Sequence, residues 1–260
     1  MTGAESGRGP VAATWTDDGV LCLTLARPPG NILDAEMVAA LREAVRVGAN
    51  ERPLRAVLFS GEGKHFSFGA SVEEHLPGQV EGMLEGFHGL FLDLIDLGRP
   101  LLAAIHGQCL GGGLELAAFC HRVFAHPDAV LGQPEIKLGV FAPVASIVLP
   151  RRVGQAAADD LLLSGRTLTG SDALRIGLVD AVGDEPVSMA RDHAARAFGR
   201  LSISALGQAV AAARFEYHRA FREGIGRLER NYLDELMALG DPKEGLQAFL
   251  DKRRPEWSHA

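Results

Sequence analysis

His106-Gly107-Gln108-Cys109-Leu110-Gly111-Gly112-Gly113-Leu114-Glu115-Leu116 follows directly on an apolar run that begins at Pro100. The run reads as a strand, the three glycines as a sharp turn, and Gly112 onward as the start of a helix. The first N–H groups of a helix have no intrahelical acceptor, and glycine leaves no Cβ to block close approach, so this turn can receive an anion or a developing negative charge. Glu115 stands three residues beyond Gly112, on nearly the same helix face and about one turn further in. Taken alone, the segment reads equally well as tight helix–strand packing with a solvated or salt-bridged glutamate. It is neither a dinucleotide-binding GxGxxG fingerprint nor a P-loop, because the ribose-binding acid and the Lys-Ser/Thr pair those motifs need are missing.

Two neighbouring segments carry related chemistry. In Gly132-Gln133-Pro134-Glu135-Ile136 a second carboxylate follows the first by twenty residues, pinned by proline and flanked by mostly apolar residues. That setting predicts a poorly hydrated carboxyl with a raised pKa, although a turn with a solvated glutamate fits the same letters. In His65-Phe66-Ser67-Phe68-Gly69-Ala70-Ser71 the small residues Gly69 and Ala70 allow a ligand oxygen to reach a backbone N–H, the second donor an oxyanion hole requires. By itself the loop is unremarkable.

The rest of the chain sets the frame. With 260 residues, 47% of them hydrophobic, it can bury a full core without metal or disulfide staples. Cys22, Cys109 and Cys120 fit neither a zinc site nor a CxxC pair and read as reduced thiols. The net charge of -7 repels nucleic acid and anionic membranes, so any anionic ligand must be held by local groups. The start of the chain shows no secretory signal and no stretch is long enough to span a bilayer, which predicts a cytoplasmic protein. His65, His75, His106 and His121 lack metal-ligand spacing on one helix face and read as surface or hydrogen-bonded side chains; no metal is expected.

Val20 to Ala26, Leu54 to Ser60 and Pro100 to His106 read as strands. Asp34 is placed to cap a helix with Met37, Val38, Leu41 and Val45 on one face, and Val80, Met83, Leu84, Phe87, Leu90, Phe91, Leu94 and Ile95 trace a longer helical stripe. After Asp184 the sequence reads as helical through Lys252, with no convincing strand. The expectation is an α/β core over residues 1–190 followed by a helical region over 191–260.

The three segments, in this order and spacing, resemble the crotonase (enoyl-CoA hydratase/isomerase) superfamily: FSFGAS its first oxyanion loop, LGGGLEL its second loop and first glutamate, and GQPEI its second glutamate. The likeness extends from ARPPGNILD to EGLQAFLDKRRPEW. The resemblance implies a spiral of ββα units followed by a helical C-terminal trimerisation region, and a homotrimer or dimer of trimers. It implies oxyanion amides from Ala70 and Gly112, with Glu115 and Glu135 as the acid/base pair. Phe68, Ser71, Val72, Gly111 and Phe141 are the expected substrate-binding residues. The substrate implied is an acyl-CoA thioester, with coenzyme A part of the substrate and no separate cofactor. Both glutamates being present favours hydration over the family's other chemistries.

Several positions depart from straight-chain hydratases. Ser71 stands in place of an aspartate, Glu73 where a basic residue often meets the CoA phosphates, and Phe141-Ala142-Pro143-Val144-Ala145 where a glycine-rich turn is usual. These departures, with HFSFGASVEEHLP and IKLGVFAPVASIVLPRRVG, resemble family members that hydrate cyclic dienoyl-CoA thioesters in anaerobic aromatic degradation. In such a reaction water adds at the β carbon and the dienolate is protonated at the γ carbon. Glu115 is the expected base and Glu135 the expected acid, with the reverse assignment open. The alternatives are a general enoyl-CoA hydratase/isomerase and a non-catalytic binding scaffold. Lys252-Arg253-Arg254 reads as a solvated helix end or as a contact for CoA.

Overall fold

The computed structural model of the protein describes residues 9–259. Its main sheet has six strands. The edge strand β1 (Val11–Trp15) runs antiparallel to β2 (Val20–Leu25), and β2 is followed by helix α1 (Ala35–Glu51) and β3 (Ala56–Gly61). Asp34 caps α1 as expected, accepting from Met37 N at 2.8 Å, and Met37, Val38, Leu41 and Val45 are all buried. Helix α2 (Val80–Leu97) buries its predicted stripe and ends at Gly98, whose left-handed φ of 58° closes the helix.

From there the chain repeats a pattern of main-sheet strand, small-sheet strand and helix. β4 (Leu101–Ile105), β5 (Gln108–Leu110) and α3 (Gly112–Phe119) form one unit. β6 (Arg122–Ala125), β7 (Val130–Gly132) and α4 (Pro143–Val153) form the next, extended by α5 (Gln155–Ser164). β8 (Thr167–Thr169), α6 (Gly170–Arg175) and β9 (Ala181–Val182) close the series. The main sheet has the order β1-β2-β3-β4-β6-β9 and the small sheet β5-β7-β8. This is the spiral of ββα units expected from the resemblance.

Because β2, β3, β4 and β6 pair in parallel, both faces of the main sheet need cover, and their residues are apolar in both phases of the alternation. Leu21, Leu23, Val57, Phe59, Leu101, Ala103 and Ile105 face the main core. Val20, Cys22, Ala56, Leu58, Leu102 and Ala104 face the other way, onto Ala190 and Ala194. Those two alanines belong to α7 (Pro186–Phe198). The division expected at 190 therefore falls inside a helix that covers the main sheet, and the small side chains of α7 let it lie close.

Three helices follow: α8 (Ile203–Ala213), α9 (Phe215–Arg230) and α10 (Gly240–Leu250). Phe221 and Ile225 of α9 enter the main core, so this helical region shares the hydrophobic core with the sheet. A π-helical turn, Asn231–Leu236, follows α9. All three cysteines are buried and free. Among the described residues no helix is long and apolar enough to cross a membrane, and no group of His, Cys, Asp and Glu is arranged to hold a metal ion.

Candidate active site

A cavity of about 520 Å³ is lined by Phe68, Ala70, Gly112, Glu115, Glu135 and Phe141, together with Val72 and Gly111. An open groove of about 540 Å³ between α1 and α2 contains none of the motif residues. The motif cavity is built by two loops held side by side. A Cβ placed on Gly112 would lie 3.2 Å from Ala70 N and 3.1 Å from Phe87 Cζ, and one on Gly69 would lie 3.1 Å from Gly112 N. The Ala70 and Gly112 amides thus border the same small space. Gly112 opens α3, so its N–H has no intrahelical acceptor.

The first loop is fixed by buried polar contacts that sequence reading passed over. Asn31 Nδ2 donates to Glu62 O and His65 O at 3.0 and 2.9 Å, and Asn31 Oδ1 accepts from Arg27 N at 3.0 Å. Ser67 Oγ donates to Asn31 O at 2.8 Å and accepts from Gly69 N at 3.0 Å. The second loop turns at Gly111, where φ is 51° and ψ is −128°. A Cβ there would come within 2.7 Å of Glu135 Oε1, so glycine is needed both for the turn and for the space.

Glu115 is 5% exposed. Its Oε1 accepts the N–H of Ala145 at 2.7 Å, and Val144 N–H also supports the carboxylate. Both amides belong to the first turn of α4. Burial nevertheless dominates and pushes Glu115 up to about 7, with the two amides opposing it. Glu135 opens a 3-10 turn, Glu135–Leu138, after Pro134. Burial first, and the charge of Glu115 second, push Glu135 up to about 8. Its side-chain donor is Gln133 Nε2, at 3.4 Å from both oxygens. Glu115 is therefore the carboxylate with the stronger backbone donors, and the charge of Glu115 raises Glu135 further.

Ser71 is not among the cavity-lining residues. Its hydroxyl lies 3.3 Å from Glu73 Oε2 and accepts from Glu74 N at 3.4 Å, at the start of the 3-10 turn Glu73–His75. His65, His75, His106 and His121 are each hydrogen-bonded, through contacts with Gln108 N, Ser71 O, Gly63 O and Leu101 N. His75, however, also lines the cavity, as do His88 and Tyr232, none of which the motifs pointed to. Of the basic run, Arg253 reaches the cavity while paired with Glu244, its Nη2 2.8 Å from Glu244 Oε2.

Two buried carboxyls of raised proton affinity line one cavity with the backbone of Ala70 and Gly112, a set of groups that can serve to add or remove water next to a carbonyl. The profile of the enoyl-CoA hydratase/isomerase family matches residues 16–260. The chain belongs to that family. It is 50% identical over 243 residues to the Cyclohexa-1,5-dienecarbonyl-CoA hydratase of Thauera aromatica, covering 94% of each chain. It is 35% identical over 249 residues to a Bacillus subtilis protein named "Probable enoyl-CoA hydratase", covering 93% of this chain and 96% of the other. Among solved structures, an enoyl-CoA hydratase/isomerase from Pseudoalteromonas atlantica T6c superposes with a TM-score of 0.82 at 28% identity, over 96% of this chain and all of that one. Family membership accounts for the fold.

Proposed function

We propose that this protein is a hydro-lyase that hydrates cyclohexa-1,5-diene-1-carbonyl-CoA to 6-hydroxycyclohex-1-ene-1-carbonyl-CoA, a step of anaerobic aromatic degradation. The observation that carries the reaction class is the meeting of Glu115 and Glu135 in one cavity with the Ala70 and Gly112 amides. The choice of substrate rests on the 50% identity to the Thauera aromatica hydratase.

In this reading the thioester oxygen lies between the Ala70 and Gly112 N–H groups. Glu115 is ionised and takes a proton from water as the hydroxyl oxygen bonds to the β carbon. Electrons move from the C=C bond into the thioester, and the two amides stabilise the resulting dienolate; loss of one such donor elsewhere costs about 2.7–4 kcal/mol. Glu135 then gives its proton to the γ carbon, which leaves the remaining double bond conjugated with the carbonyl. Return of a proton from Glu115 to Glu135 through solvent completes the cycle, and the net change is one water added. No electrons are exchanged with an outside group, so the proposal includes no metal, nicotinamide or flavin. Coenzyme A enters as part of the substrate.

The second reading is a straight-chain enoyl-CoA hydratase, favoured by the Bacillus subtilis relative. Product identification by mass spectrometry and NMR, with purified protein and either the cyclic dienoyl-CoA or crotonyl-CoA, separates the two. Fast turnover of crotonyl-CoA with none of the cyclic diene would replace the first reading by the second. Assembly as a homotrimer or dimer of trimers belongs to the same proposal. The exposed Phe215 and Phe249 on the C-terminal helices are apolar surface that a neighbouring subunit would cover; light scattering on the purified protein tests it.

A further inference from the structure

Three buried polar atoms at or beside the cavity have no hydrogen-bond partner: Gln133 Oε1, His88 Nε2 and the Tyr232 hydroxyl. His88 and Gln133 each spend their other polar atom, His88 Nδ1 on Glu229 at 2.6 Å and Gln133 Nε2 on Glu135 at 3.4 Å. Tyr232 has only the one polar atom, and it is unspent. A buried hydroxyl without a protein partner is costly and calls for an explanation, in a ligand, a water or a reaction step.

The position of Tyr232 is specific. It lies in the π-helical turn Asn231–Leu236, a backbone feature that gathers at functional sites. The residue is 1% exposed. Its ring stands edge-on to Phe141 with centroids 5.2 Å apart, and the His75 ring is 6.4 Å away. Burial first, then the negative fields of Glu135 and Glu115, hold the phenol above its ordinary range. It therefore stays an O–H donor across the working range.

The proposed reaction creates a need for such a donor. When Glu135 has given up its proton it becomes a buried anion beside Glu115, with Gln133 Nε2 at 3.4 Å as its side-chain donor. Two cationic side chains line the cavity among the described residues, Arg253 and Lys137. Arg253 is spent on Glu244 and Lys137 is exposed on the turn that carries Glu135. The His75 ring donates through Nδ1 to Ser71 O, and His88 is paired with Glu229.

We propose that Tyr232 is a positioning residue that donates its hydroxyl hydrogen to the Glu135 carboxylate as that group loses its proton. The phenol O–H bond does not break; only a hydrogen bond forms, and it holds the carboxylate in place until it is reprotonated. The inference rests on Glu135 being the proton donor of the proposed reaction, whichever enoyl thioester is used.

The test reads the carboxyl directly. Carbon-13 NMR titration of protein labelled at the Glu carboxyls, assigned with Glu135→Gln and Glu115→Gln, is compared between wild type and Tyr232→Phe, which keeps the ring packing. Removing a donor to the carboxylate disfavours its ionised form, so the Glu135 midpoint should rise by about 0.4–1 pH unit. In kinetics kcat should fall about three- to tenfold with KM little changed. Replacing Tyr232 by 3-fluorotyrosine, a stronger donor of nearly the same shape, should move the midpoint down. An unchanged Glu135 midpoint in folded Tyr232→Phe protein overturns the inference. Wild-type protein that hydrates neither cyclic dienoyl-CoA nor crotonyl-CoA would instead overturn the functional reading, while the titration would still decide the Tyr232 bond.

Discussion

Glu115 Oε1 accepts the backbone N–H of Ala145 at 2.7 Å, so a side chain from α3 occupies the N-terminal turn of α4. That turn has no side-chain cap of its own. The amides and the positive end of the α4 dipole favour the ionised glutamate, which is why Glu115, the more deeply buried of the pair, has the lower proton affinity. Glu135 has no such helix terminus and takes the repulsion of Glu115 as well. That helix start gives Glu115 backbone donors that Glu135 lacks, which is what the proposed pairing of base and acid requires.

The activity of the wild type should follow a bell between the two carboxyl titrations. The active form needs Glu115 ionised and Glu135 protonated, so kcat/KM should rise as pH passes about 7 and fall as it passes about 8. The limbs belong to the coupled pair. Glu115→Gln and Glu135→Gln should each lower kcat at least about 10²-fold with the fold retained. Near-normal kcat in either folded variant removes that residue from the mechanism.

Glu135 should also govern how stability responds to alkali. Its folded-state pKa of about 8 lies above the ordinary 4.5, so the folded protein binds its proton more tightly than the unfolded chain does. The associated stability is fully present below the unfolded value and is lost as pH rises through about 8. Glu135→Gln has no charge to bury and should exceed wild type at pH 9 by at least about 1 kcal/mol in denaturant unfolding. The gap should close as pH falls toward 4.5. A gap independent of pH would show that Glu135 is not strained by burial.

At Gly112 a side chain has nowhere to go, because its Cβ would already press on Phe87 Cζ and Ala70 N. Gly112→Val should force the two amide loops apart and lower kcat/KM by about 10²-fold or more, the scale for loss of an oxyanion donor. Circular dichroism and thermal unfolding check that the fold survives. Wild-type kcat/KM in a folded Gly112→Val protein would place the oxyanion elsewhere.

Phe141 lines the cavity and packs edge-on against Tyr232. A ring substrate must be gripped in one orientation if its β carbon is to face water and its γ carbon the acid. Phe141→Ala should reduce kcat/KM for the cyclic dienoyl-CoA about 10–200-fold more than for crotonyl-CoA. Equal losses on the two thioesters would take Phe141 out of substrate selection.

The parts of the site fixed by local chemistry were legible in the sequence. Three glycines at a helix start and a proline before a glutamate constrain the backbone on their own, and Glu115, Glu135, Ala70 and Gly112 all border one cavity. The strands β5, β7, β8 and β9, of two or three residues each, are too short to display an alternation. In β1 the residues Ala12, Ala13 and Thr14 lack the apolar contrast that marks a strand. Tyr232 reaches the cavity only through packing of elements distant in sequence, and no spacing announces that; His75 follows the first motif loop directly, on the turn Glu73–His75. The direction of Ser71 was hidden as well, since it depends on the 3-10 turn that begins at Glu73. Helical periodicity located α7 in the helical stretch without revealing that its alanines rest on the main sheet.

The enclosure of the cavity by Tyr232, Phe249 and Arg253 has a consequence for the order of events on the ribosome. Both glutamates and both amide loops are made before these three residues, so the wall they form is the last part of the cavity to be supplied. Until α10 docks, the cavity lacks Phe249 on that side. The side of the cavity that carries Tyr232 is therefore the last to be completed.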